Sequence, residues 1–249
     1  MGKPLDFDPG TRYVYSNFGY CLLGRVIEKV TGKSYEDFVR TSILAPLKIR
    51  DMHIGKTLED GRRKNEVKYY AKGSGASVFG GNAGKKVRFP YGAWHLEAMD
   101  SHGGWVSSAV DLVRFAAAFD DPARSPILKQ ATIQTMFERP KGPSAYEKNG
   151  RPKAAYYACG WLVRPVGFFG KSNNWHNGAL SGTSTILVRR YDGLNWAVLF
   201  NRRGGKTGKL LSGLIDRRVH QAAAAVKTWP DSDRFGATKR PRRTKQKPK

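Results

Sequence analysis

The chain has 249 residues, with 44 lysines and arginines against 20 aspartates and glutamates, so its formal net charge is +24. Hydrophobic residues make up 40% of the sequence, which is too large a share for a chain that is disordered throughout. No apolar run reaches the ~20 residues that a membrane-spanning helix needs, the first residues lack the apolar stretch of a signal peptide, and two cysteines cannot build a disulfide framework.

Two helices are predicted near the start of the chain. The first is capped by Ser16 or Asn17 and ends at Gly32. Its apolar side chains recur every three or four residues: Leu23, Val26, Ile27 and Val30. The second begins with a capping box at Ser34 and ends before Pro46. Two of its side chains are expected in the core: Phe38 and Leu44.

The middle of the chain is less regular. Residues 55–95 are rich in glycine, lysine and arginine and show little periodicity, which predicts an irregular insertion of surface loops with short strands. A further helix is predicted from Ser108 and a shorter one over residues 129–138. Cys21 and Cys159 are both expected to be buried thiols.

Strands dominate the next part of the chain. Strands are predicted over Tyr156–Val163, Thr183–Val188 and Asn195–Asn201, with Asp192-Gly193 as the turn of a hairpin. Gly208–Val226 then predicts a closing helix, with apolar residues on one face: Leu210, Leu211, Leu214, Ile215 and Val219. Helices followed by antiparallel strands and a last helix indicate an α+β fold with an antiparallel sheet flanked by helices.

The end of the chain is strongly basic. Residues 239–249 read KRPRRTKQKPK and predict a disordered cationic tail, which we place at 230–249. Without those eleven residues the charge is still 37 − 20 = +17. Two interpretations stay open for the tail: a contact with nucleic acid or another anionic surface, or a solvated tail without a partner.

Nothing in the sequence implies a metal or an organic cofactor. The five histidines show no metal-ligand spacing, and Gly204–Lys209 lacks the first glycine of a phosphate-binding loop because Arg203 stands there.

Two short segments carry residues suited to catalysis. Tyr15 and Asn17 lie immediately before or at a helix start, where a phenol can act as a base and an amide can orient a substrate carbonyl. The alternative is a packed tyrosine beside an ordinary helix cap. His176, on an expected edge strand, can donate to a substrate carboxylate, and Gly178 permits close approach of the backbone. The N–H of Ala179 could serve an oxyanion hole, although His176 could also be a simple turn residue.

Taken together and in order, these segments resemble the serine β-lactamase and penicillin-binding protein superfamily, in the branch of class C β-lactamases, DD-peptidases and carboxylesterases. The resemblance is dense over residues 8–47, which include Tyr15-Ser16-Asn17. It continues through Ser101–Phe115 with its glycine pair and through Gly160-Trp161. His176-Asn177-Gly178 matches the His-x-Gly variant of the family's Lys-Thr-Gly motif. Lys206-Thr207-Gly208 spells that triplet too, but beyond the strand where the motif belongs.

The resemblance implies roles for the candidate residues. Tyr15 would be the general base or proton relay and Asn17 would contact the substrate amide. His176 and Gly178 would line the strand side of the cleft, and Ala179 would give one oxyanion donor. The implied substrates are β-lactams, small esters or peptidoglycan-type peptides, with His176 favouring an esterase or peptidase.

The family's nucleophile, the serine of Ser-x-x-Lys, is missing. No serine of this chain has a lysine three positions later. We therefore expect a β-lactamase-like domain over residues 1–229 that lacks the first strands and the nucleophile helix. Three hypotheses follow: a hydrolase whose N-terminal segment is separate or lost, a non-catalytic binding module on the same scaffold, and a polyanion-binding basic protein. Relatives of full length are often exported, but this chain leaves its own localisation open.

Overall fold

The structure of the protein, a computed structural model, describes residue 2, residues 4–167 and residues 170–230. Its helices are α1 (Asn17–Thr31), α2 (Tyr35–Val39), α3 (Leu96–Gly103), α4 (Ala109–Ala117), α5 (Gln130–Phe137) and α6 (Leu211–Ala225). Its short strands are β1 (His53–Ile54), β2 (Ser74–Ala76), β3 (Lys86–Arg88) and β4 (Trp105–Val106). The later strands are β5 (Tyr156–Tyr157), β6 (Leu162–Pro165), β7 (Ser172–Leu180), β8 (Thr183–Arg189) and β9 (Asn195–Phe200).

The main sheet is antiparallel and follows the chain, with strand order β5-β6-β7-β8-β9. The helices α4 and α6 both contact β8 and β9. The short strands form two separate pairs, β1 with β4 and β2 with β3. This arrangement confirms the predicted α+β class and the antiparallel sheet flanked by helices.

Most predicted helices are present. Ser16 caps α1 by accepting a hydrogen bond from the Gly19 N–H, and Gly32 ends the helix in the left-handed conformation with φ of 68°. The second predicted helix divides into α2 and one turn of π-helix, Arg40–Leu44, before Pro46. The helix α3 was not predicted, because a polar stretch with a glycine pair at its end gives little helical periodicity.

The prediction of one continuous strand over Tyr156–Val163 is wrong, because the range holds β5 and the start of β6. It is interrupted by a tight turn in which the Ala158 N–H donates to the Trp161 carbonyl at 2.8 Å, so that β5 and β6 form a hairpin. Gly160 takes a φ of 76° in this turn, a conformation that favours glycine. Cys159 lies in the same turn and is exposed, and Cys21 is only half-buried, so the expectation of two buried thiols is also wrong.

The closing helix, α6, begins later than predicted, at Leu211, and the face that it buries differs from the predicted one. Leu214 is exposed, whereas Ser212 is fully buried and exchanges hydrogen bonds with Ser184 of β8. A polar contact therefore seats α6 on the sheet, and a search for apolar periodicity does not detect such a contact.

An aromatic core supports the β5–β6 hairpin. Trp161 is 5% exposed and packs with the rings of Phe115, Phe119 and Phe137, whose centroids lie 5.9–6.4 Å from its own. Because Trp161 directly follows the tight turn, this core fixes the position of Tyr157 at the end of β5.

One face of α1 is packed and the other is open to solvent. Gly24 is buried so tightly against α3 that a Cβ there would lie 2.3 Å from the Ser101 hydroxyl. The opposite face exposes large apolar side chains: Phe18, Leu23, Val26 and Val30. We call these four residues the open face of α1. Within the described residues, nothing covers most of their apolar area.

Two further observations concern membrane and tail. In the described part of the chain, no helix has both the length and the apolarity to cross a bilayer. The predicted basic tail lies outside the described residues, apart from Pro230.

Candidate active site

The first candidate group lies at the N-terminus of α1. The Tyr15 hydroxyl donates to Asn17 Oδ1 at 3.0 Å, and the Tyr15 side chain is 58% exposed. Ser16, between them, is occupied by capping the helix. The cap and the catalytic assignment are therefore compatible, because different residues of the triplet serve them.

The position of α1 is fixed by α3. The Ser101 hydroxyl donates to the Tyr20 carbonyl at 2.9 Å, and Arg25 forms an ion pair with Asp100. Since Gly24 permits this close approach, the helix start with Tyr15 and Asn17 is held against the rest of the fold.

Tyr157 joins this helix start to the main sheet. Its ring centroid lies 5.2 Å from that of Tyr13, and its hydroxyl lies 2.8 Å from His176 Nε2. Burial raises the pKa of Tyr157 well above its usual range, and the neighbouring hydroxyl of Tyr20 acts in the same direction. Burial, with Tyr15 and Tyr20 nearby, also raises the pKa of Tyr13. We call Tyr13, Tyr15, Tyr20 and Tyr157 the phenol cluster.

His176 lies on a strand, as expected, namely β7. Burial lowers the pKa of the imidazole, while a hydrogen bond with the Asn177 backbone opposes that effect. β7 is flanked by β6 and β8, so His176 does not lie on an edge strand of the sheet as expected. However, the pairing with β6 stops at Trp175. From His176 to Leu180, β7 therefore pairs only with β8, which leaves an open strand edge beside the phenol cluster.

Gly178 and Ala179 continue along this open edge. Gly178 pairs with Thr185, and a Cβ on Gly178 would come within 2.8 Å of the Thr185 hydroxyl, so the glycine is required for the close approach of β8. Ala179 pairs with Ser184. At about 3.3 Å per residue, Ala179 lies ~10 Å along the strand from His176, beyond direct reach of the phenol cluster.

The structure thus places Tyr157 in contact with both His176 and Tyr13, which lies two residues before Tyr15, and places Gly178 and Ala179 further along the strand of His176. The sequence reasoning missed Tyr157 and Tyr20. A signal for Tyr157 was present, because two tyrosines directly precede the turn before Gly160-Trp161. The triplet Lys206-Thr207-Gly208 lies in a turn beyond β9, away from the strand that carries His176.

The candidate residues border an open surface. A cavity of about 890 Å³ lies elsewhere and is lined by basic and glycine residues such as Lys141, Lys148, Gly142 and Gly150. Among the residues that the structure describes, no cluster of three or more His, Cys, Asp or Glu side chains could hold a metal ion.

Comparisons with known proteins show the family of the chain. The family model described as Beta-lactamase matches residues 1–219. The N-acetylmuramyl-L-alanine amidase of Bacillus subtilis (strain 168) is 43% identical over 216 residues, which are 80% of this chain and 46% of the relative. Penicillin-binding protein 4* of the same organism is 26% identical over 189 residues, or 75% of this chain and 39% of the relative.

A solved structure shows the same fold. The D-amino acid amidase from Ochrobactrum anthropi SV3, in complex with L-phenylalanine amide, matches with a TM-score of 0.61 at 24% identity. The match covers 86% of this chain and 57% of the amidase. The chain spans less than half the length of both curated relatives.

Proposed function

The chain belongs to the serine β-lactamase and penicillin-binding protein superfamily, which includes amidases and esterases, and from this premise we propose that it supplies one side of an acyl-transfer site. The observation that carries the proposal is the position of Tyr157, whose hydroxyl lies 2.8 Å from His176 Nε2 and whose ring packs against Tyr13, two residues before Tyr15. The family resemblance places His176 and Tyr15 on opposite walls of the cleft.

The proposed reaction is hydrolysis through an acyl-enzyme. A serine hydroxyl attacks the carbonyl carbon of an ester or amide and transfers its proton to Tyr15, while the Ala179 N–H stabilises the oxyanion. The proton then passes to the leaving alcohol or amine, and water releases the acyl group by the same steps. Asn17 and His176 orient the substrate from either side.

The serine itself has to come from a segment with Ser-x-x-Lys that these 249 residues do not contain. We propose that this segment covers the open face of α1, because the four large apolar side chains of that face, which begins at Phe18 beside Tyr15, otherwise remain in water. Its lysine would also provide the positive charge that a phenol requires to act as a base near neutral pH. Without the segment, the chain is expected to be inactive.

Reconstitution tests the proposal. The full chain is assayed with p-nitrophenyl butyrate, D-phenylalanine amide and benzylpenicillin, alone and after mixing with the segment encoded upstream of residue 1 in the source gene. We expect background hydrolysis from the chain alone and catalysed hydrolysis of at least one substrate from the mixture. An upstream Ser→Ala variant is the matched control and should abolish the gain.

The contrary outcomes are equally informative. Hydrolysis by the chain alone would contradict the missing nucleophile. If the source gene encodes no Ser-x-x-Lys segment and the chain is a stable monomer, the second hypothesis holds, namely a binding module on a β-lactamase scaffold. That alternative is favoured by one observation, the absence of Ser-x-x-Lys from a chain whose other site segments are present.

A further inference from the structure

Tyr157 contacts His176 across an intervening strand. Tyr157 lies at the end of β5, which is two strands away from β7 in the sheet. Because the pairing of β6 with β7 stops at Trp175, the phenol can reach the imidazole of the next residue, His176. The hydroxyl lies 2.8 Å from His176 Nε2, and the two rings meet edge-on with centroids 5.7 Å apart. The contact is therefore a short hydrogen bond with a defined ring geometry.

The groups around this hydrogen bond are phenols. Tyr20 from α1 is close enough to Tyr157 to raise its pKa, and Tyr13 and Tyr15 come from the segment before α1. Burial keeps Tyr157 protonated at neutral pH and favours the uncharged form of His176. A protonated phenol can donate to the nitrogen of a neutral imidazole that has no proton.

From this geometry we propose that Tyr157 is a positioning residue, whose hydroxyl donates to His176 Nε2 and thereby fixes the uncharged tautomer that has its proton on Nδ1. The hydrogen bond between the ring and the Asn177 backbone fits this tautomer, because a backbone carbonyl accepts from a ring N–H. This role deepens the proposed function, and its effect on catalysis rests on that function.

The consequence concerns the substrate. Where the family's Lys-Thr-Gly motif places a cation, this strand presents an uncharged ring. The uncharged imidazole of His176 does not attract a free carboxylate of the substrate. The site is therefore suited to esters and amides whose acyl part lacks a carboxylate there, rather than to penicillins.

Histidine ring NMR on the full chain tests the assignment without any need for activity. Long-range ¹⁵N–¹H spectra report which ring nitrogen carries the proton, and a pH titration gives the pKa. The signal of His176 is identified because it disappears from the set of five in His176→Gln. We expect the tautomer protonated on Nδ1 at pH 7 and a pKa below the ordinary value of about 6.5.

The decisive variant is Tyr157→Phe, which keeps the aromatic contact with Tyr13 and removes only the hydroxyl. The pKa of His176 should rise toward 6.5, because the neutral form loses its donor, and a fraction of the tautomer protonated on Nε2 should appear. The matched control is Tyr156→Phe, one residue earlier on β5, whose hydroxyl donates instead to the Phe137 carbonyl at 2.9 Å. Tyr156→Phe should leave the pKa and the tautomer of His176 unchanged.

Two results would overturn the proposal: a His176 protonated on Nε2 in the unmodified chain, or identical His176 signals in Tyr157→Phe and the unmodified chain. A charged His176 at pH 7 would also remove the argument on substrates. Should Tyr157→Phe fail to fold, as judged by thermal melting, Tyr20→Phe gives a second variant. It removes the phenol that raises the pKa of Tyr157 and should shift the His176 pKa in the same direction by a smaller amount. None of these outcomes depends on a serine nucleophile, so they are distinguishable from a failure of the proposed function.

Discussion

The variant Tyr15→Phe is expected to lower kcat of the reconstituted hydrolase by about 10²- to 10⁴-fold, the usual contribution of a positioned general base. The phenylalanine ring keeps the shape of the residue but removes the hydroxyl that donates to Asn17 Oδ1. Because the lost step is proton transfer in the transition state, kcat should fall much more than KM changes. Steady-state kinetics with p-nitrophenyl butyrate give both parameters.

The matched control for this variant is Tyr70→Phe. Tyr70 is exposed to a similar extent as Tyr15 but bridges to Arg202 beyond β9, outside the candidate site. Removal of the Tyr70 hydroxyl should leave kcat and KM unchanged within error. A fall in kcat of less than threefold for Tyr15→Phe would show that Tyr15 is a packed aromatic and not the base.

The second large effect is expected on stability. Trp161→Ala removes the indole around which Phe115, Phe119 and Phe137 pack, and large-to-small changes of buried aromatic residues cost about 3–5 kcal/mol. Urea denaturation followed by circular dichroism should show the free energy of unfolding falling by that amount. The β5–β6 hairpin should loosen with it, so the His176 NMR signature described above should weaken.

Trp229→Ala is the control, because it removes an indole from an exposed position. Trp229 is 51% exposed and follows the last helix, so its loss should change the free energy of unfolding by less than about 0.5 kcal/mol. Equal effects of the two variants would mean that Trp161 does not anchor the core.

The sequence predicted the helices of this fold better than its strands. Ser16, Gly32 and Ser108 are local signals, because a cap is formed by residues within four positions of one another, and α1 and α4 begin and end close to where those signals lie. The β8–β9 hairpin was predicted for the same reason, since Asp192-Gly193 specifies its turn locally.

The parts that were missed depend on distant contacts. β7 has a polar sequence and is a strand because it pairs with β6 and β8, and neither partner is visible in the local pattern. The position of Tyr157 beside His176 depends on the turn at Gly160 and on the burial of Trp161, which together bring residues 19 positions apart into contact. The sequence therefore pointed to the motif residues of the candidate site and not to Tyr157, which contacts His176.

The most direct measurement of the central claim is intact-mass spectrometry of the folded full chain after incubation with a fluorophosphonate, which labels activated serines covalently. We predict no adduct on the chain alone, in a sample whose folded state is shown by a cooperative thermal melt, because its site lacks the serine with its lysine. A single stoichiometric adduct would contradict the account, and peptide mapping would then identify the serine, beginning with Ser16 and Ser101.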